Sequence, residues 1–236
     1  MTNERRMSNS SFALRPSSPR YSALLFDLDG TLIDSADDLV ESVRQGLAAI
    51  GLPPPAREKI VHQVGKPLVD FPSLLGYHLN EEQTSRFATA YRAWYAIHFA
   101  DHTEPYPGVR EALLQLRTGG YRLAVITTKR QDQADSTLRG IGLASGFDYI
   151  RGWQEGRKLK PDPEPVVETL KVLAVPRDHA LMVGDSEQDI LAAQAAGVDC
   201  CACLYGFRDP EYLLSLHPTY SIRSFPELMS IVLAGA

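Results

Sequence analysis

Ala23-Leu24-Leu25-Phe26-Asp27-Leu28-Asp29-Gly30-Thr31 is the stretch on which the reading of this chain turns. Four apolar residues run without a polar break and then give way abruptly to two carboxylates and a glycine. An unbroken apolar run of this length suits a strand buried on both faces, as in a parallel sheet covered by helices. Similar runs recur at Leu123-Ala124-Val125-Ile126, Phe147-Asp148-Tyr149-Ile150, Ala180-Leu181-Met182-Val183 and from Asp199 to Leu204. Helical patterns separate them. Val109 to Thr118 stops at Gly119-Gly120, Asp162 to Val175 opens on prolines, and Glu187 to Ala196 closes on Gly197. Strand and helix in alternation predict a doubly wound, parallel α/β sheet of the Rossmann-like kind.

One interval breaks that rhythm. About ninety residues separate the first two strands, where a crossover needs only a dozen or more. This extra chain is itself helical in pattern. Ser35 with Asp38 three residues on reads as a helix start, and Leu39, Val40, Val43, Leu47 and Ile50 follow at helical spacing until Gly51-Leu52-Pro53-Pro54-Pro55. A second long helix fits Glu81 to Phe99. The expected organisation is therefore an N-terminal tail over residues 1–20, a core over 21–35 and 106–236, and an inserted helical cap over 36–105. The tail is rich in Ser, Arg and Pro and carries no hydrophobic segment of the secretory kind.

Composition narrows the function classes. Of 236 residues, 44% are hydrophobic and 22% charged, with a net charge of -5 and no basic block, so neither nucleic acid nor a membrane is expected as partner. The 3 cysteines are crowded at Cys200, Cys201 and Cys203 inside a strand pattern, without the further Cys or His that zinc requires. They read as small apolar residues in a reducing, cytoplasmic setting.

In open α/β sheets, ligands bind beyond the carboxyl ends of the strands. Asp27 and Asp29 fall there on the first strand, Thr127 and Thr128 on the second, Gly184 and Asp185 on the fourth, with Asp189 just into the next helix. Carboxylates gathered at one edge repel unless a cation sits among them. Hard oxygen donors without His or Cys point to Mg²⁺, and Mg²⁺ held by few carboxylates favours a phosphate group as the remaining ligand. A small phosphorylated metabolite is the expected substrate.

The segment FDLDGTLIDS from Phe26 to Ser35 resembles the first signature of the haloacid dehalogenase superfamily of phosphohydrolases. Val125-Ile126-Thr127, Lys160 in KPDPEP, and GDSEQD from Gly184 to Asp189 are similar to the second, third and fourth, in the same order. The helical insertion resembles the cap of the phosphoglycolate phosphatase and phosphomutase group. The resemblance implies that Asp27 is the nucleophile, Asp29 the general acid and base, and that Thr127 and Lys160 bind phosphoryl oxygens. It further implies Mg²⁺ on Asp27, the backbone carbonyl of Asp29 and Asp185, with Asp189 standing behind these ligands. Lys158 competes with Lys160 for its role, the adjacent Pro161 favouring Lys160.

Phosphoglycolate phosphatase is the group most resembled, through MVGDSEQDILAAQAAG and YPGV. The cap loop Val64-Gly65-Lys66-Pro67-Leu68 is as similar to pyrophosphatase relatives. Gly65, Lys66 and Thr128 are candidate substrate-binding residues, with Lys129 and Arg208 as weaker ones. A sugar phosphomutase would share every one of these core residues, a pyrophosphatase is a further alternative, and the intact Asp27, Asp29, Thr127, Lys160 and Asp185 speak against a non-catalytic phospholigand-binding relative. The chain is expected to act as a monomer or homodimer.

Overall fold

The computed structural model describes residues 20–233, so the expected tail lies outside the described residues except for Arg20. The chain runs β1 (Ala23–Phe26), β2 (Ile33–Asp34), α1 (Ala36–Ala48), α2 (Arg57–Val61), α3 (Phe71–Leu74), α4 (Glu81–His98) and β3 (Glu104–Pro105). It continues with α5 (Val109–Thr118), β4 (Arg122–Arg130), α6 (Gln131–Gly140), β5 (Tyr149–Trp153), α7 (Glu164–Leu173) and β6 (Ala180–Gly184). The last elements are α8 (Glu187–Ala196), β7 (Asp199–Cys203), α9 (Pro210–Ser215), β8 (Tyr220–Ile222) and α10 (Glu227–Leu233).

The main sheet has six strands in the order β5-β4-β1-β6-β7-β8, with every pairing parallel. Its strands alternate between two buried layers. Leu24, Phe26, Leu123, Val125, Leu181 and Val183 face a core closed by Val109, Leu113 and Leu116 of α5 and Leu228 of α10. Ala23, Leu25, Ala124, Ile126, Ala180 and Met182 face the opposite core, with Val166 and Leu170 of α7 and Ile190 and Ala193 of α8. Burial on both faces explains why these strands carry apolar residues at every position. Cys200, Cys201 and Cys203 are free, buried thiols of β7, distributed over the same two layers.

The strand order places β1 between β4 and β6, with Phe26 beside both Val125 and Val183. The chain segments that follow these three strands therefore meet at one edge. The expected α/β fold is the one observed, with three local differences. β5 lies at Tyr149–Trp153, two residues later than its apolar run, because Asp148 turns away to accept from the Leu123 amide at 2.8 Å. β4 extends to Arg130, so Thr127 and Thr128 lie within it; its register shifts between Ile126 and Arg130. A sixth strand, β8, joins the edge through only three residues, of which Ile222 alone is buried.

The helical stretch between β2 and β3 has its own apolar cluster, in which Val40, Val43 and Leu47 of α1 meet Ile60, Phe71, Phe87 and Ala88. Both connections to the sheet side pass through one antiparallel ribbon, Ile33 opposite Pro105 and Asp34 opposite Glu104. Asp38 strengthens this crossing. Its buried carboxylate accepts from the His102 amide at 3.1 Å and the Thr103 hydroxyl at 2.7 Å, in place of the helix-start role expected of it with Ser35. Ser35 makes no capping hydrogen bond either; its hydroxyl goes to Asp29.

Candidate active site

Asp27 follows β1 directly, and its amide continues the sheet ladder by donating to Val183 O at 2.9 Å. Its carboxylate is 2.9 Å from Lys160 Nζ. Lys160 comes from the loop between β5 and α7, is 4% exposed, and also donates to Ile126 O at 2.7 Å and Asp189 Oδ1 at 2.5 Å. Lys158, by contrast, has a side chain 61% exposed and pairs with Asp162. The structure thus brings Lys160, not Lys158, to the carboxylates.

Asp189 closes a capping box at the start of α8, accepting from the amide and hydroxyl of Ser186 at 3.0 and 2.6 Å. Asp185 accepts from the Thr31 hydroxyl at 3.0 Å and the Phe207 amide at 2.8 Å. Asp27, Asp185 and Asp189 bring carboxylate oxygens within 4.8 Å of one another, all buried. The close approach needs glycine. Gly30 has φ of +85°, and a Cβ there would fall 2.2 Å from Asp185 Oδ2; one on Gly184 would fall 2.2 Å from Asp189 Cγ. Gly30→Ala is therefore expected to displace Asp185 and to raise the metal concentration needed for half-maximal turnover by about tenfold or more. A metal titration of the purified variant checks this, and an unchanged requirement refutes it.

Burial pushes the Asp27 carboxyl up to about 8, with Asp189 and Asp185 adding to the shift and Lys160 opposing it. Asp185 is pushed up to about 7 by burial and by Asp189. For Lys160, burial disfavours the charge, but Asp189 and Asp27 outweigh it and hold the ammonium protonated above its ordinary range. Among the described residues Lys160 is the one cation bonded to this triplet, which leaves negative charge in excess. A set of hard oxygen donors crowded around too little positive charge fits a divalent cation such as Mg²⁺. Asp189 belongs to this cluster by distance, although Ser186 and Lys160 occupy both its oxygens. The side chain of Asp29 does not: it turns the other way, taking Ser35 Oγ at 2.5 Å and Lys129 Nζ at 2.9 Å on Oδ1.

Beside the cluster lies a cavity of about 250 Å³, which Asp29 alone of the four aspartates lines. Its other charged residues are all cations: Lys66, Arg92, Lys129 and Arg130. Thr128 and Gly65 also line it, while Thr127 is buried with its hydroxyl accepting from the Lys129 amide at 3.1 Å. Lys66 is committed elsewhere as well, being ion-paired with Glu187 at the start of α8. Glu187 also takes Arg208 Nε at 3.0 Å, and Arg208 donates to Val64 O at 2.5 Å, so the cap loop is tied to the core at two points. Burial would raise Glu187, but Lys66 and Arg208 prevail and hold it below the usual carboxylate range.

A sequence profile described as haloacid dehalogenase-like hydrolase matches residues 24–203. The chain belongs to that family. The resemblance read from its four signatures is thereby borne out, as a haloacid dehalogenase-like phosphatase most similar to the phosphoglycolate phosphatases. A phosphoglycolate phosphatase from Colwellia psychrerythraea is 34% identical over 213 residues, 87% of this chain and 94% of that one. The pyrophosphatase PpaX of Halalkalibacterium halodurans is 32% identical over 209 residues, covering 89% and 95%. The crystal structure of a predicted phosphoglycolate phosphatase from Haemophilus somnus superposes with a TM-score of 0.84 at 26% identity, over 90% of this chain and 98% of that one. Among the described residues, no helix of this family member is long and apolar enough to cross a membrane.

Proposed function

We propose that this hydrolase releases phosphate from a small monoester with an anionic leaving group, of the phosphoglycolate kind, by way of a phosphoryl group on Asp27. The observation that carries the reading is the position of Asp29, beside the buried carboxylate cluster and in the lining of a largely apolar cavity whose other charged residues are the cations Lys66, Arg92, Lys129 and Arg130. Asp27 attacks phosphorus as the bond to the leaving oxygen breaks, and Asp29 gives that oxygen its proton. Water then attacks the aspartyl-phosphate, Asp29 takes a proton from it, and Asp27 is freed with inorganic phosphate. Lys160 and the Thr127 hydroxyl bind phosphoryl oxygens, the former already beside Asp27. Asp27, Asp185 and the backbone carbonyl of Asp29 would hold Mg²⁺, which would neutralise charge on the transferring group when bound. Residues 36–105 act as the cap that excludes water and brings Gly65, Lys66 and Arg92 to face Thr128 and Arg130 of β4 around the leaving group.

A second reading, pyrophosphate hydrolysis, draws on the same cationic lining, because a second phosphate needs more positive charge than a carboxylate does. Its support is the likeness to PpaX. Phosphate release from 2-phosphoglycolate, pyrophosphate, glucose 6-phosphate and AMP, with Mg²⁺ and with EDTA, separates the two. The expected result is preference for phosphoglycolate and loss of all turnover in EDTA. Preference for pyrophosphate selects the second reading, and no release from any substrate sinks both.

A further inference from the structure

Lys129 is a buried lysine whose place in the site the four signatures do not explain. Its side chain is 5% exposed, and Nζ donates 2.9 Å to Asp29 Oδ1. The same ammonium is hydrogen-bonded to the Tyr95 hydroxyl and lies 4.7 Å from the Tyr95 ring centroid. Tyr95 belongs to α4, inside the helical insertion, and is itself 1% exposed. It stacks on Tyr91 with ring planes 10° apart, so its own orientation is fixed by packing. Ser35, which reaches the same Oδ1 from the other side, immediately precedes α1, and α1 packs along α4.

Asp29 is thus held by two donors, Lys129, which bonds to Tyr95 of the insertion, and Ser35, at the point where the chain enters it. Both hydrogen bonds fall on Oδ1, while Oδ2 accepts none among the described residues. An aspartate that trades a proton with a leaving group needs one oxygen fixed and the other available to the reacting atom. A lysine on its flexible stem fixes little by itself, because its many rotamers compete. The Tyr95 ring and hydroxyl remove that freedom. When α4 is seated, Lys129 has one place to be, and so has Asp29.

Resting on the hydrolase reading above, we infer that Tyr95 and Lys129 are positioning residues for Asp29, through which the seating of α4 sets the rotamer of the acid and base. Neither residue takes part in bond making. Their removal slows the step in which the leaving oxygen needs a proton, and spares a leaving group that departs without one. This contrast separates positioning of Asp29 from general damage to the cavity.

The test compares kcat/KM, which reports binding and the first phosphoryl transfer but not the later attack of water, for 2-phosphoglycolate and 4-nitrophenyl phosphate. In Tyr95→Phe, which keeps Lys129 and the ring, kcat/KM is expected to fall by about tenfold for phosphoglycolate and by less than about threefold for the nitrophenyl ester. An equal fall on both esters, or no fall on either, overturns the inference. Wild-type protein inactive on both overturns the monoester reading on which the inference rests, an outcome read before any variant is made.

Discussion

Asp27→Asn is expected to abolish phosphate release, by roughly 10³-fold or more, while raising the unfolding temperature of the metal-free protein near pH 8. The two effects have one origin. Asp27 is buried against Asp185 and Asp189, and its carboxyl is pushed from 3.8 up to about 8. Between those values the folded chain holds a proton that the unfolded chain has released. Stability contributed by this group is present below the unfolded value and is lost as pH rises through the folded one. Asp185, pushed up to about 7, acts in the same direction. Metal-free wild-type protein should therefore lose Tm between about pH 5 and about pH 8, and Mg²⁺ should restore it by binding the folded state alone. Asparagine keeps the shape and drops the charge, so the slope with pH should flatten and the gain from Mg²⁺ should shrink. Lys160 keeps Asp189 and Ile126 O as partners in the variant. Thermal unfolding in EDTA across this range, with phosphate release measured in parallel, decides both parts. Substantial turnover by the variant removes Asp27 as nucleophile; a lower Tm than wild type at pH 8 without metal removes the charge-crowding account.

The core was legible because its physics is local. A strand covered on both faces must be apolar throughout, so Ala23–Phe26 and Ala180–Val183 announce themselves as runs. Helices α5 and α8 carry stop signals in Gly119 and Gly197, and the latter is left-handed, with φ of +69°. Aspartates at strand ends could be placed at one edge by topology alone. The parts that escaped depend on partners far away in sequence. Ser35 carries the pattern of a helix cap, yet its Oγ accepts from no amide of α1, and its hydroxyl instead donates a charge-assisted hydrogen bond to Asp29. Lys66 and Glu187 are 121 residues apart, and nothing near either one signals their pairing. Strand β8 is too short, and too polar at Ser221, to show a run. Lys129 reads in the sequence as only a weak substrate-binding candidate, and its burial between Asp29 and Tyr95 has no local signal.

Lys160→Met and Lys158→Met are expected to behave in opposite ways, although the two lysines are neighbours in a loop. Lys160 Nζ bonds Asp27 at 2.9 Å, Asp189 at 2.5 Å and Ile126 O at 2.7 Å, with its side chain 2% exposed. Methionine fills a similar volume but leaves two buried carboxylates and a carbonyl without their cation. Breaking a buried pair in this way costs about 3–5 kcal/mol, because the charge left behind is uncompensated. Part of that cost is relieved when Asp27 takes up a proton, so the loss should be greatest at high pH without metal and smallest with Mg²⁺ bound. Catalysis suffers separately: without Lys160, the site loses the ammonium that helps offset repulsion between the Asp27 carboxylate and an anionic phosphoryl group, and turnover should fall by roughly 10²–10³-fold even where the protein remains folded. Lys158 is mostly exposed and pairs with Asp162 across one helical turn's spacing, an arrangement worth little. Its replacement should leave activity and Tm close to wild type. Denaturant unfolding at two pH values and phosphate release at saturating Mg²⁺ test both variants side by side. A Lys160→Met protein that turns over at the wild-type rate, or a Lys158→Met protein that does not, would reverse the assignment of the cation that the carboxylate cluster is built around.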